Sequence, residues 1–157
     1  MRLIADLSKE ILLVDGATFP ISNKVRSLRD GTRSSHEVVF SMPDNLPYDP
    51  QPFPKGLWNI TGLEWQKEKG FDYSTYGPVK IRTDAYQLIK VWQLDNEMDY
   101  LKQTDISVID RGYSLHYSKS GTTWGCIRIA SPENAEIIAK MIQRAFDRGE
   151  KVELEVI

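Results

Sequence analysis

Ile11-Leu12-Leu13-Val14-Asp15-Gly16-Ala17-Thr18-Phe19-Pro20-Ile21 places two apolar runs on either side of an Asp-Gly pair. Asp-Gly between such runs is the strongest short-range signal for a two-residue β-hairpin, because both central positions of the matching turn need a positive φ. The preceding run, Leu3-Ile4-Ala5-Asp6-Leu7, is closed by Ser8-Lys9-Glu10, so the chain is expected to open as a β-meander. The far end is equally explicit. Ser131 reads as an N-cap and Pro132 as the first helical residue, while Ala135, Ile138, Met141, Ile142, Ala145 and Phe146 share one face before Gly149. A last strand follows, with Val152, Leu154 and Val156 alternating against Glu153 and Glu155.

Between these ends the pattern is mostly strand. Five prolines (43, 47, 50, 52 and 54) fall within Met42 to Pro54; each removes a backbone donor and fixes φ, so a long surface loop is expected there. Leu57-Trp58-Asn59-Ile60 and Val79-Lys80-Ile81-Arg82 alternate like strands, with an aromatic loop around Phe71, Tyr73 and Tyr76 between them. Asp84 to Gln103 stays open: Ala85 to Trp92 suits a strand, whereas the acidic stretch after Leu94 suits a loop or short helix. The expected fold is mainly β (α+β): a single domain over residues 1–157, as a mixed β-sandwich or barrel-like body with one C-terminal amphipathic helix covering the sheet.

Composition narrows the function. The 157 residues carry 20 Lys plus Arg against 22 Asp plus Glu, a formal charge of -2, so no global field draws the chain to nucleic acid or anionic lipid. No stretch approaches a membrane span, and the first residues are too short for a secretory apolar region. The chain is therefore expected in the cytoplasm as synthesised, unless a leader has been removed or delivery to the periplasm uses a route without a signal peptide. Its single Cys forbids an internal disulfide.

That cysteine lies in the densest local signal: Gly112-Tyr113-Ser114-Leu115-His116-Tyr117-Ser118-Lys119-Ser120-Gly121-Thr122-Thr123-Trp124-Gly125-Cys126-Ile127-Arg128-Ile129. A strand ending at His116, a polar loop and a hairpin-like return into Ile127 would bring His116 and Cys126 together. An imidazole beside a thiol takes its proton and leaves a thiolate nucleophile. Gly125 lets a substrate carbonyl approach, and the amides of Gly125 and Cys126 are the candidate oxyanion donors. Arg128, two residues on, shares the side of Cys126 if the chain is extended, and its fork could hold a substrate carboxylate. Blander readings stand beside these. A lone cysteine is commonly a small buried hydrophobe, His116 could be a core histidine, and Arg128 suits a solvated surface equally well. His36, His116 and Cys126 lack metal-ligand spacing, so neither metal nor cofactor is implied. Trp58, Trp92 and Trp124 with Tyr48, Tyr73 and Tyr76 could line a groove or belong to the core.

Taken together these residues resemble the catalytic domain of the YkuD-type L,D-transpeptidases. That family's motif is an upstream His, a loop, then Ser/Thr-His-Gly-Cys, an apolar residue and Arg or Asn; Thr123, Gly125, Cys126, Ile127 and Arg128 match it. Phe53-Pro54-Lys55-Gly56-Leu57-Trp58-Asn59-Ile60 is similar to its Thr-Pro-x-Gly-x-(aromatic)-x-Ile segment, and Tyr76-Gly77-Pro78 to its Gly-Pro turn. Trp124 stands where the family usually has His, and the loop from His116 to Cys126 is shorter than the common form. The chain thus looks closer to short, signal-less hydrolase, effector or phage-borne members. The resemblance implies a cysteine nucleophile, Cys126, with His116 as base and then acid. It would attack the third residue of a peptidoglycan peptide stem, with water (carboxypeptidase) or an amine (transpeptidase) as acceptor. Thr123, Trp124, Gly125, Arg128, Tyr76 and Ser118 would form the surrounding binding set. The third catalytic partner is left between a backbone carbonyl and a hydroxyl such as Ser118 or Ser114. The alternatives are an inactive module of the same fold that binds wall peptides or a protein partner, and a thiol hydrolase of another class acting on a non-wall amide.

Overall fold

The computed structural model describes residues 1–25, 51–69, 73–94, 101–123 and 125–157. β1 (Arg2–Asp6), β2 (Ile11–Val14) and β3 (Ala17–Ser22) form the expected antiparallel meander. Asp15 at φ 46° and Gly16 at φ 80° make the tight turn between β2 and β3, the double positive φ that selects Asp-Gly there. Leu3, Ala5, Leu12 and Val14 alternate inward and are fully buried.

The chain continues through β4 (Gly56–Trp65), β5 (Val79–Thr83), β6 (Tyr86–Leu94), β7 (Leu101–Arg111), β8 (Ser114–Tyr117), β9 (Ile127–Ile129) and β10 (Glu153–Val156). Eight of these strands close into a barrel in the order β1-β10-β4-β5-β8-β9-β3-β2. Closure is more specific than the sandwich or barrel-like body read from the sequence, and it gives every barrel strand a neighbour on both edges. β6 and β7 pair outside the barrel as a two-stranded antiparallel sheet, so the strand reading of Ala85 to Trp92 holds, while the acidic stretch after Leu94, 95–100, lies outside the described residues.

One helix among the described residues exceeds a single turn, α3 (Pro132–Asp147); α1 (Gln66–Lys69) and α2 (Tyr73–Tyr76) are one turn each, where an aromatic loop was expected. Ser131 caps α3 by accepting the Asn134 amide at 3.1 Å, and Ala135, Ile138, Ala139, Ile142 and Ala145 are fully buried. The helix lies against β5, β8 and β9, sealing the apolar side of the strands that carry His116 and Cys126. Phe71 and most of the proline-rich stretch fall outside the described residues. At its end the surface-loop reading needs correction, since Phe53 is 2% exposed and belongs to the core.

The decisive departure concerns β8 and β9. They pair in parallel, with Leu115 opposite Ile127, His116 opposite Arg128 and Tyr117 opposite Ile129, so the expected hairpin-like return is wrong. Parallel neighbours need a connection that runs back along the strand. Here the strands are only four and three residues long, so residues 118–126 suffice. A parallel bridge between Val25 and Thr123, and the Thr123 amide donating to the Lys24 carbonyl at 2.9 Å, tie this connection to the end of β3.

Leu154, fully buried on β10, should be far more sensitive to truncation than Leu57, which is 50% exposed on the neighbouring β4. Leu154→Ala is expected to cost about 2–5 kcal/mol in chemical denaturation and Leu57→Ala under about 0.5 kcal/mol.

Candidate active site

The parallel register brings four polar side chains to one face. Leu115, Ile127 and Ile129 are fully buried in the core, so alternation turns Ser114, His116, Cys126 and Arg128 to the opposite side. One step back along the ladder from His116 opposite Arg128 lies Ser114 opposite Cys126, and the Ser114 Oγ to Cys126 Sγ distance is 3.3 Å. On the other edge of β8, Lys80 of β5 is opposite His116 and Arg82 is opposite Ser114. Arg82 is drawn into an ion pair with Glu64.

His116 is 5% exposed, and its Nδ1 lies 2.8 Å from the Tyr117 carbonyl oxygen. A carbonyl oxygen can only accept, so Nδ1 carries the proton and Nε2 is left for the thiol. Of the options for a third partner, the backbone carbonyl occupies the position; Ser114 contacts the sulfur instead. Tyr76 packs its ring against His116 at 5.2 Å between centroids and 66° between planes. Gly77, at φ +66°, packs directly on the next residue of β8, since a Cβ there would lie 2.8 Å from Tyr117 Cβ.

Cys126 keeps partial exposure. Burial of the sulfur pushes its pKa up, but the hydrogen bond and charge of His116 outweigh this, with help from the Ser114 hydroxyl and amide. The net direction is downward. The thiol therefore ionises more readily than an ordinary one, the direction an attacking sulfur needs.

The turn that presents Cys126 is braced from three sides. Thr123 Oγ1 donates to the Cys126 carbonyl at 2.6 Å and accepts the Gly125 amide at 3.3 Å. Thr123, 6% exposed, thus clasps the turn from within rather than facing a ligand. Gly125 sits at φ +117°, and a Cβ there would lie 2.6 Å from both the Gln51 carbonyl oxygen and Tyr113 Cε1. Backbone conformation and the packed Tyr113 ring require this glycine, and its amide is already engaged, so of the two expected oxyanion donors the Cys126 amide remains. Asn23 is a site residue that sequence reasoning missed. Its Nδ2 donates to the Gly125 and Cys126 carbonyls at 2.9 and 3.0 Å, and its Oδ1 accepts the Phe53 amide at 2.8 Å. Its only trace in the sequence is an Asn just past a strand; the partners lie 30, 102 and 103 residues away.

Arg128 lies on a strand, as its expected role needed. Its Nε donates to the Ser118 carbonyl at 2.7 Å and its guanidinium lies 5.4 Å from the Tyr117 ring centre. The two terminal nitrogens are therefore aimed by the scaffold. Ser118 contributes this carbonyl to Arg128, while Tyr117 supplies the one that holds His116. Lys80 Nζ sits 4.7 Å from the Tyr76 ring centre, so His116 is flanked across both strand edges by a cation. Trp124, Tyr48 and His36, and the side chains of Tyr73 and Trp92, lie outside the described residues. Trp58 is placed away from this cluster, donating to the Pro54 carbonyl at 2.8 Å and packing edge-on against Tyr86. Among the described residues no group of three His, Cys, Asp or Glu side chains could hold a metal, and no helix is long and apolar enough to cross a membrane. No family model, curated protein or solved structure matches the chain.

Alkylation of Cys126 by iodoacetamide, followed by mass spectrometry across pH, is expected to inflect below the ~8.5 of a free thiol. In His116→Ala burial is left dominant and the inflection should move above that value; identical profiles would remove His116 from the site. Gly125→Ala is expected to lower both the unfolding temperature and the alkylation rate at neutral pH.

Proposed function

We propose that the protein is a cysteine acyl-enzyme of the L,D-transpeptidase kind, acting on the peptide stem of peptidoglycan as a transpeptidase or carboxypeptidase. The observation that carries this reading is the pairing of Cys126 with a histidine whose Nδ1 is fixed on the Tyr117 carbonyl. The motif resemblance around Cys126 supplies the substrate class.

In the proposed cycle the Cys126 thiolate attacks the carbonyl carbon of the third stem residue, and the developing oxyanion is met by the Cys126 amide. The C–N bond to the terminal D-residue breaks as His116 Nε2–H protonates the leaving amine. This leaves a thioester on Cys126 and a neutral imidazole at Nε2. Water, or the amine of a second stem, then attacks the thioester while His116 takes its proton, restoring the thiolate and imidazolium. Throughout, Nδ1–H stays on the Tyr117 carbonyl, so the ring neither flips nor changes face. The outward nitrogens of Arg128 and the ammonium of Lys80, on either side of His116, would hold a carboxylate of the stem.

Incubation with a stem tetrapeptide is expected to release one D-alanine and to leave a transient acyl adduct on Cys126 by mass spectrometry. Cys126→Ala should abolish release; unchanged release would end this reading, whereas an inactive binding module would show no release in the parent protein and unchanged affinity in the variant. A tetrapeptide whose terminal carboxylate is amidated should react about 10-fold more slowly, the effect of losing one charge-assisted contact.

A further inference from the structure

We propose that the β6–β7 hairpin is a working part of the active site, holding Tyr113 against Gly125 through Asp110 and Gln87 and thereby setting the position of the Cys126 sulfur. The proposal rests on the reading of Cys126 as a nucleophile and adds three positioning residues, none of which touches the reacting atoms.

Tyr113 lies at the foot of β8, one residue before Ser114, and is 3% exposed. Its ring is the surface on which Gly125 rests, close enough that no side chain fits between them. Phe53 holds its other side, edge-on at 5.4 Å. Both ends of the residue are pinned. Its carbonyl accepts Thr83 Oγ1 at 2.6 Å, and its hydroxyl donates to Asp110 Oδ2 at 2.6 Å while accepting Gln87 Nε2 at 2.6 Å. Gln87 and Asp110 are register partners across β6 and β7, so the hydroxyl is gripped by the two strands of the hairpin at once. Gln87 Nε2 also reaches the Pro52 carbonyl at 2.8 Å, beside the Gln51 carbonyl that confines Gly125 from the other direction.

Packing alone does not account for this choice of residues. Asp110 is 4% exposed, and burial raises its pKa against the opposing hydrogen bonds from Tyr113 and the Arg111 amide. A Phe over a Leu would fill the same volume without burying a carboxyl, and such replacements are commonly neutral or stabilising. What the polar pair adds is a single orientation of the ring, and the ring decides where Gly125, and hence Cys126, can sit. Displacements of about 1 Å at a reacting group can cost up to about 100-fold in rate.

The test measures Cys126 alkylation by iodoacetamide at pH 7, with thermal unfolding alongside, in the parent protein and in Asp110→Leu, Asp110→Asn and Tyr113→Phe. Asp110→Leu and Tyr113→Phe are expected to slow alkylation about 10-fold and move its inflection toward that of a free thiol. Asp110→Asn, whose amide oxygen still accepts from Tyr113, should restore most of the rate. A purely structural role would change the unfolding temperature and leave the alkylation profile where it was. Should Asp110→Leu fail to fold, Tyr113→Phe decides, since it keeps the ring and removes only the grip. Parent-like alkylation in folded Asp110→Leu or Tyr113→Phe would overturn the proposal while leaving the nucleophile intact. A parent protein no more reactive than free cysteine would overturn the nucleophile itself.

Discussion

Parallel pairing of β8 with β9, at the register that sets His116 beside Arg128, is the constraint from which the site follows. A slip of one residue would turn Cys126 toward the core and Ile127 toward solvent, because side chains alternate with a period of two. The register is secured from within by Leu115, Ile127 and Ile129, all fully buried beneath α3. Burial that holds the barrel together therefore also chooses the face on which the thiol and the imidazole emerge. The core and the candidate site share these strands, one on each side.

Around that face the backbone does more than the side chains. The Tyr117 carbonyl fixes the His116 tautomer, the Ser118 carbonyl aims Arg128, and the Gly125 and Cys126 carbonyls are tied to Asn23. Hydrogen bonds of this kind orient without titrating, so the charge of the site is left to the sulfur, the imidazole and the two flanking cations. Partial exposure of Cys126 beside a buried His116 fits a reagent that meets a substrate while its partner stays sheltered.

Much of the architecture was legible where local chemistry is unambiguous. Asp15-Gly16 announced its turn through the two positive φ angles that only such a pair accepts readily, and Ser131-Pro132 announced the start of α3 through a cap and a residue that needs no amide donor. The pairing of β8 with β9 was not legible, because a gap of ten residues reads by default as an antiparallel return. Only the shortness of both strands permits a parallel one. Cys126, His116 and Arg128 could be chosen from residue type and spacing. Asn23, Lys80 and Tyr113 could not, since each enters the site through closure of the barrel or through a hairpin that stands outside it. Gly125 was picked for a sound reason that proved incomplete: its positive φ and the Tyr113 ring exclude a side chain before any substrate arrives.

The claim on which everything turns is that His116 keeps its proton on Nδ1 and shares Nε2 with the Cys126 sulfur. Nitrogen-15 NMR of the two imidazole rings, with His36→Gln to assign them, reads this directly at neutral pH. The account expects Nδ1 of His116 to be protonated throughout. It also expects the Nε2 resonance to move in Cys126→Ala, because the sulfur that this nitrogen faces is gone. A neutral ring protonated on Nε2, indifferent to Cys126→Ala, would contradict it.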